Sequence, residues 1–337
     1  MPARWHLHAV IGGFIGLVAA SGSGLAQPPQ QQFSFGLFGD LAYVAADEPR
    51  LANVLADLDR APLAFVVHVG DLGHPTTRSC TDALWERRLA QFRASANPLM
   101  YTPGDNEWTD CHEQQGFTGG DPLERLGKLR ALFFAGDASF GQRSIALTRQ
   151  SGSADARLAK YRENARWEFG AITFLTLHVV GSNNGRGRSA DGDAEFADRN
   201  AADLAWLGEG FAHAKAVDSR AVMILQQANI FPDFPPFPGD PKQEPNGFTE
   251  LHQAIAKEAL AFGKPVVLVH GDSHYFRIDK PYMRMRKAGE PGLENVTRVE
   301  SFGSPHHHWV EVTVDPADPN VFSFRQRLVP ANLLTGQ

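Results

Sequence analysis

Apolar residues along this chain fall into short runs that alternate with segments of helical spacing. Residues 33–39 form a compact apolar run closed by Gly39-Asp40, as expected of a buried strand. Residues 49–58 then carry apolar side chains at helical intervals. The unit repeats: 63–69 reads as a second strand, 81–92 as a helix and 99–102 as a short third strand. A further strong apolar run covers 172–180, and 198–214 predicts a helix that buries Leu204, Trp206, Leu207 and Phe211. Strands follow at 221–225 and 265–270, with the helical pattern 248–262 between them. The tail changes character, giving strands at 296–302, 308–314 and 321–328 joined by Gly, Pro and Asp turns. Strands alternating with helices, then a run of strands, predict an α/β layered domain with a mixed sheet. Segments 182–193, rich in Gly, Asp and Asn, and 231–245, rich in Pro, are expected to be long loops at the rim of a site.

The first residues break this pattern. Arg4, an uncharged apolar run over 9–20 and the small-x-small triplet Gly24-Leu25-Ala26 read as a secretory signal over 1–26. The run is shorter than the roughly 20 residues a membrane span needs, so no stable span is expected after cleavage. A polar Pro/Gln linker covers 27–32, and 33–330 is expected to be a single domain in a periplasmic or secreted protein. About 310 residues then remain, enough for one large core. The net charge of −6 lacks the positive surplus that a nucleic-acid partner requires. In an oxidising compartment the two cysteines, Cys80 and Cys111, favour a disulfide between loops of the site rim.

In open α/β sheets ligands bind beyond the carboxyl ends of strands. Here those positions read Gly39-Asp40, Gly70-Asp71, Gly104-Asp105-Asn106-Glu107, Gln226-Gln227 and Gly271-Asp272-Ser273-His274. One Gly-Asp pair is an ordinary turn. A polar group at every one of these strand ends is not explained by turns alone.

This order resembles the calcineurin-like metallophosphoesterase superfamily, and most closely its purple acid phosphatase branch. The resemblance implies a four-layer α/β/β/α sandwich with two mixed β-sheets. It also implies two divalent metal ions at the strand ends, and hydrolysis of phosphate mono- or diesters by a hydroxide shared between them. By the match, Asp40 is the first ligand, Asp71 the bridging one, Asp105 and Asn106 stand at the family's Asn and catalytic His, Gln227 at its lone His, and Asp272 and His274 at its last block. Ala42 occupies a ligand histidine position and cannot ligate. His74, offset from Asp71 as a tyrosine is in that branch, is expected to complete the first site, with Tyr43 as the weaker alternative. The first site (Asp40, Asp71, His74, His274) suits Mn, Fe or Zn, whereas oxygen ligands at the second (Asp71, Asp105, Gln227, Asp272) suit Mg, Ca or Mn.

For a small phosphorylated substrate, Asn106 and His307 are the expected contacts. Because Asn106 cannot deliver a proton, a leaving-group acid is sought among His112, His270, His306, His307 and His308. Residues 183–188, with Asn183, Asn184, Arg186 and Arg188, are expected to be a solvated loop. Two alternatives stand beside this reading. One is a non-catalytic relative that keeps metal or phosphate binding; the other is a serine esterase in which Ser273 of Gly271-Asp272-Ser273 attacks.

Overall fold

The computed structural model describes residues 1–2, 31–74, 80–112, 120–231, 246–283 and 292–333. The expected signal peptide and most of the linker lie outside these residues, as do 232–245 of the Pro-rich segment. Strand β1 (Phe33–Phe38) leads to helix α1 (Glu48–Arg60), β2 (Val66–His68), α2 (Asp82–Ala94), β3 (Leu99–Tyr101) and α3 (Pro122–Phe133). Next come β4 (Thr148–Arg149), β5 (Ala165–Phe169), β6 (Ile172–Thr176), the single turn α4 (Gly181–Asn184) and the long α5 (Ala190–Ala216). The chain continues with β7 (Ala221–Leu225), α6 (Thr249–Phe262), β8 (Val266–His270), β9 (Arg277–Asp279), β10 (Val296–Glu300), β11 (Trp309–Val314) and β12 (Phe322–Arg327).

Two mixed sheets form, a five-stranded one in the order β12-β11-β1-β2-β3 and a seven-stranded one in the order β4-β5-β6-β7-β8-β10-β9. Their parallel parts are β1-β2-β3, extended by antiparallel strands on the β1 side only, and β6-β7-β8-β10, with antiparallel strands on both sides. Alternation along the strands explains the layers. Phe35, Leu37, Phe65 and Val67 point into a core shared with Phe174, Met223, Val267 and Val299 of the other sheet. Phe38 and Val66 point outward, to Leu51, Trp85, Leu89 and Leu126 on helices α1 to α3. Leu175, Ile224 and Leu268 face Trp206, Phe211 and Ile255 on α5 and α6. Phe35 and Phe65 stack at 4.6 Å, and Trp167 and Phe174 at 5.2 Å, between the sheets. The order is helix, sheet, sheet, helix, as expected.

Helix starts follow local side-chain chemistry. Thr81 Oγ1 accepts from Leu84 N (3.3 Å), and Asp121 Oδ1 from Leu123 N (2.8 Å). Ser189 Oγ accepts from Gly192 N (3.0 Å), so α5 begins at Ala190 and not at 198. The expected loop 182–193 is therefore largely ordered structure. Helix α3 and strands β4, β5 and β9 are additions to the sequence reading; α3 and β5 carry charged residues between their buried positions, while β4 has two residues and β9 none that is buried.

Candidate metal centre

The strand ends of both sheets converge. From the five-stranded sheet come Asp40, Asp71 and Asp105, and from the seven-stranded sheet Gln227, Asp272 and His274. Among the described residues, ligand atoms of Asp40, Asp71 and His274 lie within 4.8 Å of one another. Asp272 N donates to Asp40 Oδ1 (3.0 Å), and Asn106 N to Asp71 Oδ1 (3.3 Å), so each loop is fastened to the next one's carboxylate. Glu107, fully buried, accepts from Leu72 N (2.5 Å) and Gly104 N (2.8 Å), which locks the Asp71 and Asp105 loops together. The Cys80–Cys111 disulfide, with Cα atoms 5.7 Å apart, ties the same two loops further out.

Asp40, Asp71, Asp272 and His274 all adopt left-handed backbone, with φ of 54°, 61°, 76° and 59°. Each such residue costs on the order of 1–3 kcal/mol and persists only where its surroundings over-determine it. Main chain then closes around the acids. A Cβ on Gly104 would come within 2.0 Å of Asp71 Oδ1, one on Gly271 within 2.0 Å of Asp40 Oδ2, and one on Gly181 within 2.6 Å of both Asp105 Oδ2 and Asp272 Oδ1.

Charge in this pocket is unbalanced. Burial, then the charges of Asp105, Glu107 and Asp40, raises Asp71 well above the usual carboxylate range. Asp105 is raised by burial and by Asp110 and Asp272. Burial is also the main cause that lifts Asp272 to about 7 and Glu107 to about 8. Asp40 Oδ2 is buried without a hydrogen-bond partner. His274 supplies the cluster's own positive charge: burial alone would lower its pKa, but contact with Asp40 raises it to about 9. Its Nδ1 donates to Ser304 O (2.7 Å), which turns Nε2 inward. An enclosed set of carboxylates with one imidazole, an orphan oxygen and a cradle of glycines fits divalent cations.

The structure departs from the sequence expectation at several residues. His74 is half-buried and stands outside the Asp40–Asp71–His274 group, its ring 5.4 Å from that of Tyr43. Tyr43 holds the inner position instead. Its Oη donates to Asp71 Oδ2 (2.7 Å) and sits 2.9 Å from His274 Nε2. Gln227 reaches the cluster with its amide nitrogen, donating to Asp105 Oδ1 (2.9 Å) and Asp272 Oδ1 (3.4 Å). Its oxygen is taken by Gly181 N (2.6 Å), which fixes that orientation and leaves a clamp where a ligand was expected.

Asn106 is likewise a brace. Its amide hydrogens go to Asp71 Oδ2 (3.0 Å) and Gly73 O (2.9 Å), the full donor capacity of that group, so it does not reach for phosphate. His307, the other expected substrate contact, is 0% exposed, with Nδ1 on Pro305 O and its carbonyl on Asn332. His270 and His308 are also buried, while His306 is exposed. Residues 183–188 are only partly the solvated loop expected: 183–185 are buried, while Gly187 and Arg188 are exposed. Asn184 is fully buried on Arg199, Asn183 accepts from Gly247 N, and Arg188 pairs with Asp110 at 2.6 Å. Ser273 Oγ accepts from Asn229 Nδ2 (2.6 Å), an amide that cannot serve as its base.

No family model matches the sequence, and no curated protein matches it either. Solved structures with a similar chain path include that of PhoD, at 13% identity and a TM-score of 0.54, covering 86% of this chain. This chain accounts for 65% of the PhoD chain's length. Two others score lower. GAP50, the anchor in the inner membrane complex of Plasmodium, has 9% identity and a TM-score of 0.45, with 88% and 89% of the two chains covered. Vacuolar protein sorting 29 from Cryptosporidium parvum has 8% identity and a TM-score of 0.27, with 88% and 96% covered. The PhoD likeness is one of fold. Both chains share the layered α/β architecture, here two mixed sheets between outer helices.

Proposed function

We propose that this protein is an exported, metal-dependent phosphoesterase that hydrolyses phosphate mono- or diesters. One observation carries the reading: buried aspartates from the strand ends of one sheet meet the part-buried Asp272 and a single imidazole from the other. Asp40, Asp71, His274 and Tyr43 would hold one divalent cation, and Asp71, Asp105 and Asp272 the other. Bound there, the cations would take up carboxylate charge, polarise a phosphoryl oxygen and make water ionise near neutral pH.

The chain's own residues set the geometry. Ser304 fixes the His274 ring, Gln227 spaces Asp105 from Asp272, and Asn106 with Glu107 holds the Asp71 loop. Asn106 has no proton to give, so departure of the alcohol or phenol depends on that group's own acidity. General-acid help is worth about 10²–10⁴-fold, and poor leaving groups feel its loss most. The signal-like start and the disulfide support export.

The test is a panel of aryl phosphate mono- and diesters with Mn²⁺, Mg²⁺, Ca²⁺ or Zn²⁺, against an Asp71→Asn control. Turnover that requires cation and Asp71, and falls steeply as the phenol pKa rises, is expected. The full commitment of the Asn106 amide favours one other reading, a relative that binds cation without turnover. Stoichiometric metal with no hydrolysis anywhere in the panel would select it.

A further inference from the structure

We propose that the protein carries a second ligand site, separate from the carboxylate cluster, that binds a small oxyanion of the phosphate type. It is a cleft of about 330 Å³ at the β4 edge of the seven-stranded sheet, a volume in the range of pockets that hold small ligands. Strands β5 and β6 separate β4 from β7, the nearest strand of that sheet to contribute to the carboxylate cluster.

Three guanidinium groups line the cleft, those of Arg149, Arg162 and Arg166, together with Ser151 and Trp206. Arg149 is the telling one, because it is only 8% exposed. Buried cations ordinarily face a carboxylate, since an unpaired charge away from water is costly. Comparably buried arginines in this chain obey: Arg199 bonds Glu195 and Arg298 bonds Asp279. Arg149 does not. Among the described residues its guanidinium makes no hydrogen bond or ion pair, its Nε is enclosed without a partner, and only the Phe134 ring lies over it, 5.6 Å from Cζ. Burial, then the charge of Arg162, brings its pKa down to about 10, which leaves it cationic at neutral pH.

The neighbours complete a basic recess. Arg162 is anchored by Asp137 (2.9 Å) and the Phe134 and Ala135 carbonyls, and its NH1 reaches Ser151 Oγ. Arg166 spans Glu168 (3.5 Å) and the face of Trp206. The acids at the cleft, Asp137 and Glu209, are exposed at its mouth, so positive charge dominates its floor in a protein of net charge −6. A guanidinium fork matches the paired oxygens of phosphate, and a recess suits a small ion better than a polymer.

The experiment uses the full chain stripped of cations and freed of chelator, so that the carboxylate cluster repels anions. Inorganic phosphate is titrated by calorimetry, and thermal melting is followed in parallel. Saturable one-site binding and a phosphate-dependent rise in melting temperature are expected. Arg149→Gln should weaken binding about tenfold or more, and Arg166→Gln about threefold, whereas Asp71→Asn should leave it unchanged. Absence of saturable binding, or wild-type affinity in Arg149→Gln, overturns the proposal. Clearly tighter binding in Asp71→Asn does the same, by placing phosphate at the carboxylates. Should Arg149→Gln fail to fold, unchanged affinity in Arg166→Gln is decisive against it. Because the readout is binding without cations, it stands or falls independently of phosphoesterase activity.

Discussion

Two clusters of charged side chains are buried on either side of the turn α4, and they differ in balance. On one side Glu163, fully buried, accepts from Arg130 Nε (3.0 Å) and NH2 (2.6 Å) and from His178 Nδ1 (2.8 Å). Burial alone would raise Glu163, but those partners hold it far below the usual carboxylate range. Arg199 extends the cluster to Asn184 and the His178 carbonyl and so fixes α4 in place. On the other side Asp71 and Asp105 are buried almost as deeply and shifted in the opposite direction, as is the part-buried Asp272. Similar burial with opposite shifts separates a network whose charges are paired from one whose carboxylates outnumber its cationic side chains. The first braces the fold, and the second is the one the proposed function would use.

The largest test of that contrast is Asp71→Asn. It should lower kcat/KM by roughly 10³-fold or more, about 4 kcal/mol of transition-state stabilisation, on an aryl phosphate assay. The same substitution should raise the melting temperature of the cation-free protein, because it removes one of several repelling charges. Glu163→Gln should behave in the reverse sense. Breaking a buried, paired carboxylate costs about 3–5 kcal/mol, read by denaturant unfolding, while the stoichiometry of bound cation stays as in the wild type. If both substitutions destabilise equally, the two clusters are alike and the contrast fails.

Gly181→Ala probes the boundary between them. The added methyl would press on Asp105 and Asp272, and activity should fall by about 10–100-fold with little change in secondary structure by circular dichroism. The smallest effect is in pH dependence. Asp272 and Glu107 hold their protons in the folded, cation-free chain up to about 7 and about 8. In the unfolded chain they release them near about 4. Between those limits the folded state binds more protons, so stability is greatest below the lower limit and is lost as pH rises through the upper one. The melting temperature of the cation-free protein should therefore decline across about pH 5–8, and saturating cation should flatten the decline. A rise over that window would contradict the assigned shifts.

Much of this was legible in the sequence, for a physical reason. Strands buried on both faces, such as β7 and β8, leave nearly unbroken apolar runs, and the turn out of each is marked by a Gln pair or Gly-Asp. That pattern located Asp40, Asp71, Asp105, Asp272 and His274. It could not tell which way an amide points: Gln227 and Asn106 both lie at the cluster, and both donate inward because Gly181 N and Gly73 O decide their orientation. Tyr43 lies three residues after Asp40 and His74 three after Asp71, so spacing alone could not choose between them. Glu107 and Ser304 act through backbone contacts, which leave no periodic trace. Strand β5 does alternate, Ala165, Trp167 and Phe169 against Arg166 and Glu168, a period-two signal that the longer apolar runs overshadowed, whereas β4 has only two residues and leaves no pattern that marks the Arg149 cleft.

The carboxylate cluster draws its members from both sheets, and this has a bearing on how the molecule comes apart. Each sheet with its own helices owns half of a binding site and can complete neither half alone. Any guest held there works as a rivet across the seam, so affinity for it and resistance to separating the two halves become one quantity. Emptying the site should let the halves loosen at different denaturant concentrations, and filling it should merge them into a single transition.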